Sequence, residues 1–154
     1  MTSGYVPLGG VVVGPRVRTP FWDDPVPGAV FRHGYTYSGH AAACAAGLAN
    51  LDLLEREDLL GRVRALEPVV AREMGALAGG PGVSEIRTVG LTAAVQIAPD
   101  VLARDPSAAD RAVLAARRRG VLTRLLRGGA LHFSPAFVIT EDEVARIAAV
   151  FGEA

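Results

Sequence analysis

Residues 33–40, His33-Gly34-Tyr35-Thr36-Tyr37-Ser38-Gly39-His40, crowd hydroxyls, glycines and imidazoles directly ahead of the small apolar run "AAACAAGLANL". At a helix start this composition suits an anion. The free amides and the positive end of the helix dipole attract it, glycine admits a close approach, and a hydroxyl adds a hydrogen bond to a phosphate oxygen. The same residues also suit an ordinary helix start, with Ser38 as N-cap and the tyrosines in a core or interface. A nucleophile at Ser38 or Cys44, with His40 as base, is the competing chemistry. Against it, Thr36 stands two residues before Ser38, where a nucleophile elbow needs glycine, and no acid is placed to orient His40. His33, His40 and His132 lack metal-ligand spacing and paired carboxylates, so no metal site is expected.

Two arginines raise a second question. Arg124 sits in the apolar stretch "GVLTRLL" and Arg87 in "EIRTVGL". Each either snorkels out at an edge or points into a cavity, where its planar fork can bind a carboxylate through two parallel hydrogen bonds. Arg117-Arg118-Arg119 reads as the solvated, dipole-matched end of a helix.

Composition bounds the rest. The chain has 154 residues, 50% hydrophobic, with 16 basic and 16 acidic side chains that cancel. That balance gives no electrostatic case for nucleic acid. The apolar stretch around Ala41 to Ala49 is too short to span a bilayer, and the opening residues lack a basic and an apolar region of a secretory signal. A cytoplasmic protein without a membrane partner is the expectation. Cys44, the single cysteine, reads as a buried small hydrophobe. All 16 basic residues are arginine, and the chain contains no lysine.

The elements that must position these residues follow from periodicity. "PLGGVVVG", residues 7–14, predicts a strand buried on both faces, and a Pro- and Gly-rich loop follows. The apolar helix after His40 should end near Leu54 and be buried nearly all round. Leu59, Val63, Leu66, Val70, Met74 and Leu77 mark an amphipathic helix from about Asp58 to Leu77. "VSEIRTVGLTAAVQI" predicts two strands around Gly90, and "PDVLARDPSAAD" a surface loop. Ser107 with Asp110, and Thr140 with Glu143, have capping-box spacing and open two further helices. Between them "VLTRLL" and "ALHFS" predict strands joined at Arg127-Gly128-Gly129. The last two-thirds thus make an α+β unit, a small sheet covered by helices.

Four stretches carry a resemblance. "TSGYVPLGGVVV", "HGYTYSGHAAACAAGLANLDLLERE", "IRTVGLTAAVQI" and "RRRGVLTRLLRGGALHFSPAFVITEDEVARI", in this order and spacing, resemble the C-terminal portion of class III aminotransferases, which include the ω-transaminases. The resemblance covers essentially the whole chain. It implies the α/β type I pyridoxal-phosphate fold, with residues 1–54 as the end of the large cofactor-binding domain and 55–154 as the small C-terminal α+β domain. It further implies a dimer with active sites at the subunit interface, and amino transfer from an amine or amino acid to a keto acid.

By the same resemblance, Thr36 contributes its hydroxyl and Tyr35 its backbone amide to the pyridoxal 5'-phosphate phosphate of the other subunit. Arg124 falls where many members carry a mobile arginine for the substrate carboxylate. Departures are Ala41 where proline is usual, Thr88 where glycine is usual, and Ser134-Pro135-Ala136 where two prolines are common. The family's Schiff-base lysine would fall two residues before Met1, so no catalytic residue is assigned within these residues. This implies a C-terminal fragment that is inactive alone and a homodimer or association with a lysine-bearing aminotransferase chain. The alternative is a non-catalytic dimerisation or regulatory module that pairs with a full-length or split aminotransferase.

Overall fold

A computed structural model describes residues 1–154, which fall into two compact units, Met1–Glu57 and Asp58–Ala154. In the first unit a short helix, α1 (Pro15–Arg18), runs into a π-helical turn, Thr19–Asp23, and a longer helix, α2 (Ala41–Arg56), closes the unit. The expected strand at 7–14 is absent. No strand of the chain pairs with it, and without a ladder Val11 and Val12 stand 87% and 101% exposed. Helix α2 is also not buried all round: only Ala43 and Gly47 are buried, and Leu48, Leu51 and Cys44 face outward. A close approach explains Gly47, because a Cβ there would lie 2.8 Å from the Leu8 side chain.

The second unit is a four-stranded antiparallel sheet covered on one face by helices. Asp58, in the left-handed region at φ +45°, caps α3 (Leu59–Gly75) by accepting the Gly61 amide at 3.2 Å. Strands β1 (Val83–Val89) and β2 (Thr92–Ile97) form a hairpin over Gly90-Leu91, with Gly90 at φ +53° as a two-residue turn requires. The expected loop at 99–110 instead contains α4 (Pro99–Arg104). Pro99 starts it at a position that needs no amide, and Asp100 pairs with Arg104 one turn on.

Helix α5 (Ala108–Arg118) begins at Ser107, but the capping box with Asp110 does not form. Asp105 captures both the Ser107 amide and its hydroxyl, at 2.9 and 2.6 Å, and Ser107 itself takes helical angles. The helix ends in a Schellman motif: Gly120, at φ +82°, donates to Arg117 O and Val121 to Ala116 O, each at 3.0 Å. Strand β3 is short, Leu125–Leu126, and pairs with β4 (Ala130–Phe133), giving sheet order β1-β2-β4-β3. The final helix, α6 (Glu141–Gly152), carries the expected capping box between Thr140 and Glu143.

Strand alternation divides the sheet into two faces. Ala93, Val95, Leu131 and Phe133 point to a core shared with Val70 and Met74 of α3, Ala116 of α5, and Val144 and Phe151 of α6. The opposite face carries the polar residues of interest.

Candidate functional site

In the first unit, Tyr35 to Ser38 form a closed turn. The Ser38 amide donates to the Tyr35 carbonyl at 2.9 Å, and the Tyr35 amide donates to Ser38 Oγ, also at 2.9 Å. Ser38 is therefore not the N-cap. Gly39, at φ +72°, turns the chain so that His40 takes that place, its Nδ1 accepting the Ala43 amide at 3.2 Å. Both groups invoked for nucleophilic chemistry at residues 38 and 40 thus have structural work. Cys44 is exposed, contrary to the buried reading, because the helix buries only Ala43 and Gly47.

A chain of rings leads to this turn. Trp22 and Phe21 pack on Phe31, Phe31 on His33 and His33 on Tyr35, with centroids 5.5–6.0 Å apart. Phe31, His33 and Tyr35 alternate along the segment that enters the turn, and their rings contact one another in sequence. Thr36 and Tyr35 are exposed, and a cavity of about 650 Å³ is lined by the Gly9-Gly10 backbone, Tyr35, Ser38 and His40 among others. The Thr36 hydroxyl, and the Tyr35 amide if Ser38 Oγ releases it, are donors of the kind a phosphate dianion takes, so these residues would fit the phosphate end of pyridoxal phosphate. Among these residues there is no lysine to take its aldehyde.

In the second unit, the turn at Arg127-Gly128-Gly129 sets the register of β3 against β4: Leu126 faces Ala130 and Leu125 faces Leu131. One step further, Arg124 lies opposite His132, whose amide donates to Arg124 O at 3.1 Å. His132 in turn faces Ala94, and Ala94 faces Arg87. Opposed residues of an antiparallel pair share a face, so Arg124, His132, Ala94 and Arg87 form one row across the sheet, away from the core.

The two arginines differ. Arg87 is engaged by Glu85 and reaches Gln96 Oε1 at 3.4 Å. Arg124 makes no ion pair; its Nε donates to His132 Nδ1 at 3.3 Å, and the rest of its fork is unengaged. The pair lines an open cavity of about 330 Å³ with Leu122, Thr123 and Ser134. Of the two alternatives for Arg124, the structure places it exposed and beside this cavity; for Arg87, it is a side chain paired on the sheet surface. Residue type alone does not point to His132 as the partner of Arg124; register counted outward from Gly128-Gly129 brings the two together.

Comparison with known proteins covers both units. The aminotransferase class-III family description matches residues 1–154. The chain is 36% identical over 159 residues to the beta-alanine–pyruvate aminotransferase of Pseudomonas aeruginosa, covering 100% of this chain and 34% of that protein. It is 38% identical over 156 residues to the diaminobutyrate–2-oxoglutarate transaminase of Halomonas elongata, covering 97% of this chain and 33% of that one. Among solved structures, a transaminase from directed evolution by ancestral reconstruction superposes with a TM-score of 0.88 at 36% identity, over 99% of this chain and 35% of that one. The chain thus spans about a third of the length of the relatives it matches, and its mixed α/β architecture corresponds to part of the type I pyridoxal-phosphate fold.

Proposed function

The chain belongs to the class III aminotransferases, a pyridoxal-phosphate-dependent family, and from that premise we propose that it is the C-terminal part of an enzyme moving an amino group from an amine or amino acid to a keto acid. Residues 1–54 form the end of the large domain and 55–154 the small domain. When bound, the cofactor supplies the electron sink for amino transfer. This chain's residues bind and orient. Thr36 Oγ1 and the Tyr35 amide grip the cofactor phosphate of a second subunit, and the Tyr35 amide leaves Ser38 Oγ to do so. Arg124 binds the substrate carboxylate through its two terminal nitrogens.

The observation that carries the reading is Arg124 itself: exposed beside a cavity, free of any ion pair and open at the end of its fork. The named relatives take pyruvate or 2-oxoglutarate, both carboxylates. The lysine that holds the cofactor must come from outside these residues, since none is among them. Catalysis therefore needs a lysine-bearing polypeptide, continuous with this chain or associated with it, and the 154 residues alone are inactive. The outward Leu48 and Leu51 of α2, 64% and 53% exposed, favour association through that helix as a homodimer or with such a chain. They equally favour a second reading, a non-catalytic module that pairs with a complete aminotransferase.

The test is amino transfer from an amine to pyruvate by the complete polypeptide that carries these residues. Alanine formation that stops when the cofactor is removed and returns when it is restored supports the enzyme reading. A protein that binds a complete aminotransferase yet transfers no amino group supports the module.

A further inference from the structure

We propose that His132 is a positioning residue that holds Arg124 ready for a substrate carboxylate, and so sets the preference for carboxylate-bearing over carboxylate-free substrates. The proposal rests on Arg124 as the carboxylate reader. Its basis is the hydrogen bond from Arg124 Nε to His132 Nδ1 at 3.3 Å. To accept there, the imidazole is neutral with its proton on Nε2. A guanidinium held through Nε keeps both terminal nitrogens for a bidentate carboxylate. The partner's neutrality matters as much. A carboxylate in its place would form an ion pair that substrate must displace, as Glu85 does with Arg87. His132 fixes direction without that competition.

The anchor is itself held. His132 lies in β4, between β2 and β3, with its amide bonded to Arg124 O at 3.1 Å and its carbonyl accepting the Thr123 hydroxyl at 2.7 Å. Ala94, paired with it on β2, continues the row with a small side chain, and Ala94, His132 and Leu126 line a further open cavity of about 180 Å³.

Holoenzyme of the complete polypeptide is compared with its His132→Leu, His132→Asn and Arg124→Ala variants, using as acceptors pyruvate, which carries a carboxylate, and propanal, which does not. Asparagine keeps an acceptor near the Nδ1 position, and leucine removes it. The expected result for His132→Leu is a KM for pyruvate raised about fivefold to tenfold, with kcat and the propanal KM unchanged. His132→Asn should stay within about twofold of the parent. Equal losses for pyruvate and propanal, no loss with leucine, or no rescue by asparagine would overturn the proposal. If Arg124→Ala fails to separate pyruvate from propanal, the Arg124 reading itself fails. If it separates them and His132→Leu does not, only the positioning role falls. One check needs no His132 variant: Arg124→Ala must move the His132 Nδ1 nitrogen resonance, and an unmoved resonance contradicts the contact.

Discussion

Tyr35 and Ser38 hold each other through a reciprocal pair of hydrogen bonds, amide to carbonyl and amide to hydroxyl, both at 2.9 Å. The Tyr35 amide is therefore satisfied within the turn, and a phosphate taken up by that amide would have to replace the Ser38 hydroxyl. Removing that hydroxyl should expose the amide. In Ser38→Ala, hydrogen exchange at Tyr35 should speed by about threefold to tenfold, with exchange in α3 unchanged. An unaltered Tyr35 rate would mean the turn is held by something else.

Thr36 tests the phosphate assignment by chemistry. Its exposed hydroxyl is unengaged within the chain, so Thr36→Val removes a donor while keeping the branched shape. Cofactor affinity of the complete protein should fall about fivefold to tenfold, and Thr36→Ser should restore most of it. Equal affinity across the three proteins, measured by equilibrium dialysis, would remove Thr36 from the phosphate site.

The core of the second unit makes a stability prediction independent of function. Met74 is fully buried among α3, the sheet and α6. Met74→Ala should cost about 2–5 kcal/mol in denaturant unfolding, through lost transfer energy and the cavity left behind. A cost below about 1 kcal/mol would show that the site collapses around the smaller side chain.

The capping box of α6 predicts a pH effect. The Thr140 amide, and then its hydroxyl, hold the Glu143 carboxyl below its ordinary value of 4.5. A carboxyl depressed in the folded state contributes stability that is complete above the unfolded value and is lost as pH falls through the folded one. Thermal melts of the parent should therefore drop between pH 4.5 and the more acid folded value, and Glu143→Gln should show a smaller drop over that window. Identical acid profiles would mean the box adds nothing to pH dependence.

Much of the second unit was legible in the sequence because its signals are local. Gly90 and Gly128-Gly129 announce hairpins by backbone demand, and the spacing Thr140 to Glu143 announces α6. Ser107 and Asp110 carry the same spacing and fail, because Asp105 two residues earlier captures the serine first. The first unit was less legible. Residues 7–14 have strand composition, but a strand is made by its partner, and no strand pairs with them. The apolar composition of α2 predicts a buried helix, whereas burial depends on what covers a helix and not on the helix alone. The Arg124 and His132 pairing lay between these cases. Composition does not suggest it, yet register counted from a glycine turn gives it.

The proposed function places these residues beside a lysine-bound pyridoxal phosphate. Borohydride reduction of the native protein, followed by peptide mapping, tests it most directly. The expected result is a pyridoxyl group on a lysine in a peptide that runs on into Thr2-Ser3-Gly4-Tyr5, or on a polypeptide bound to this one. The absence of a pyridoxyl-lysine from this polypeptide and from every chain that copurifies with it would contradict the account.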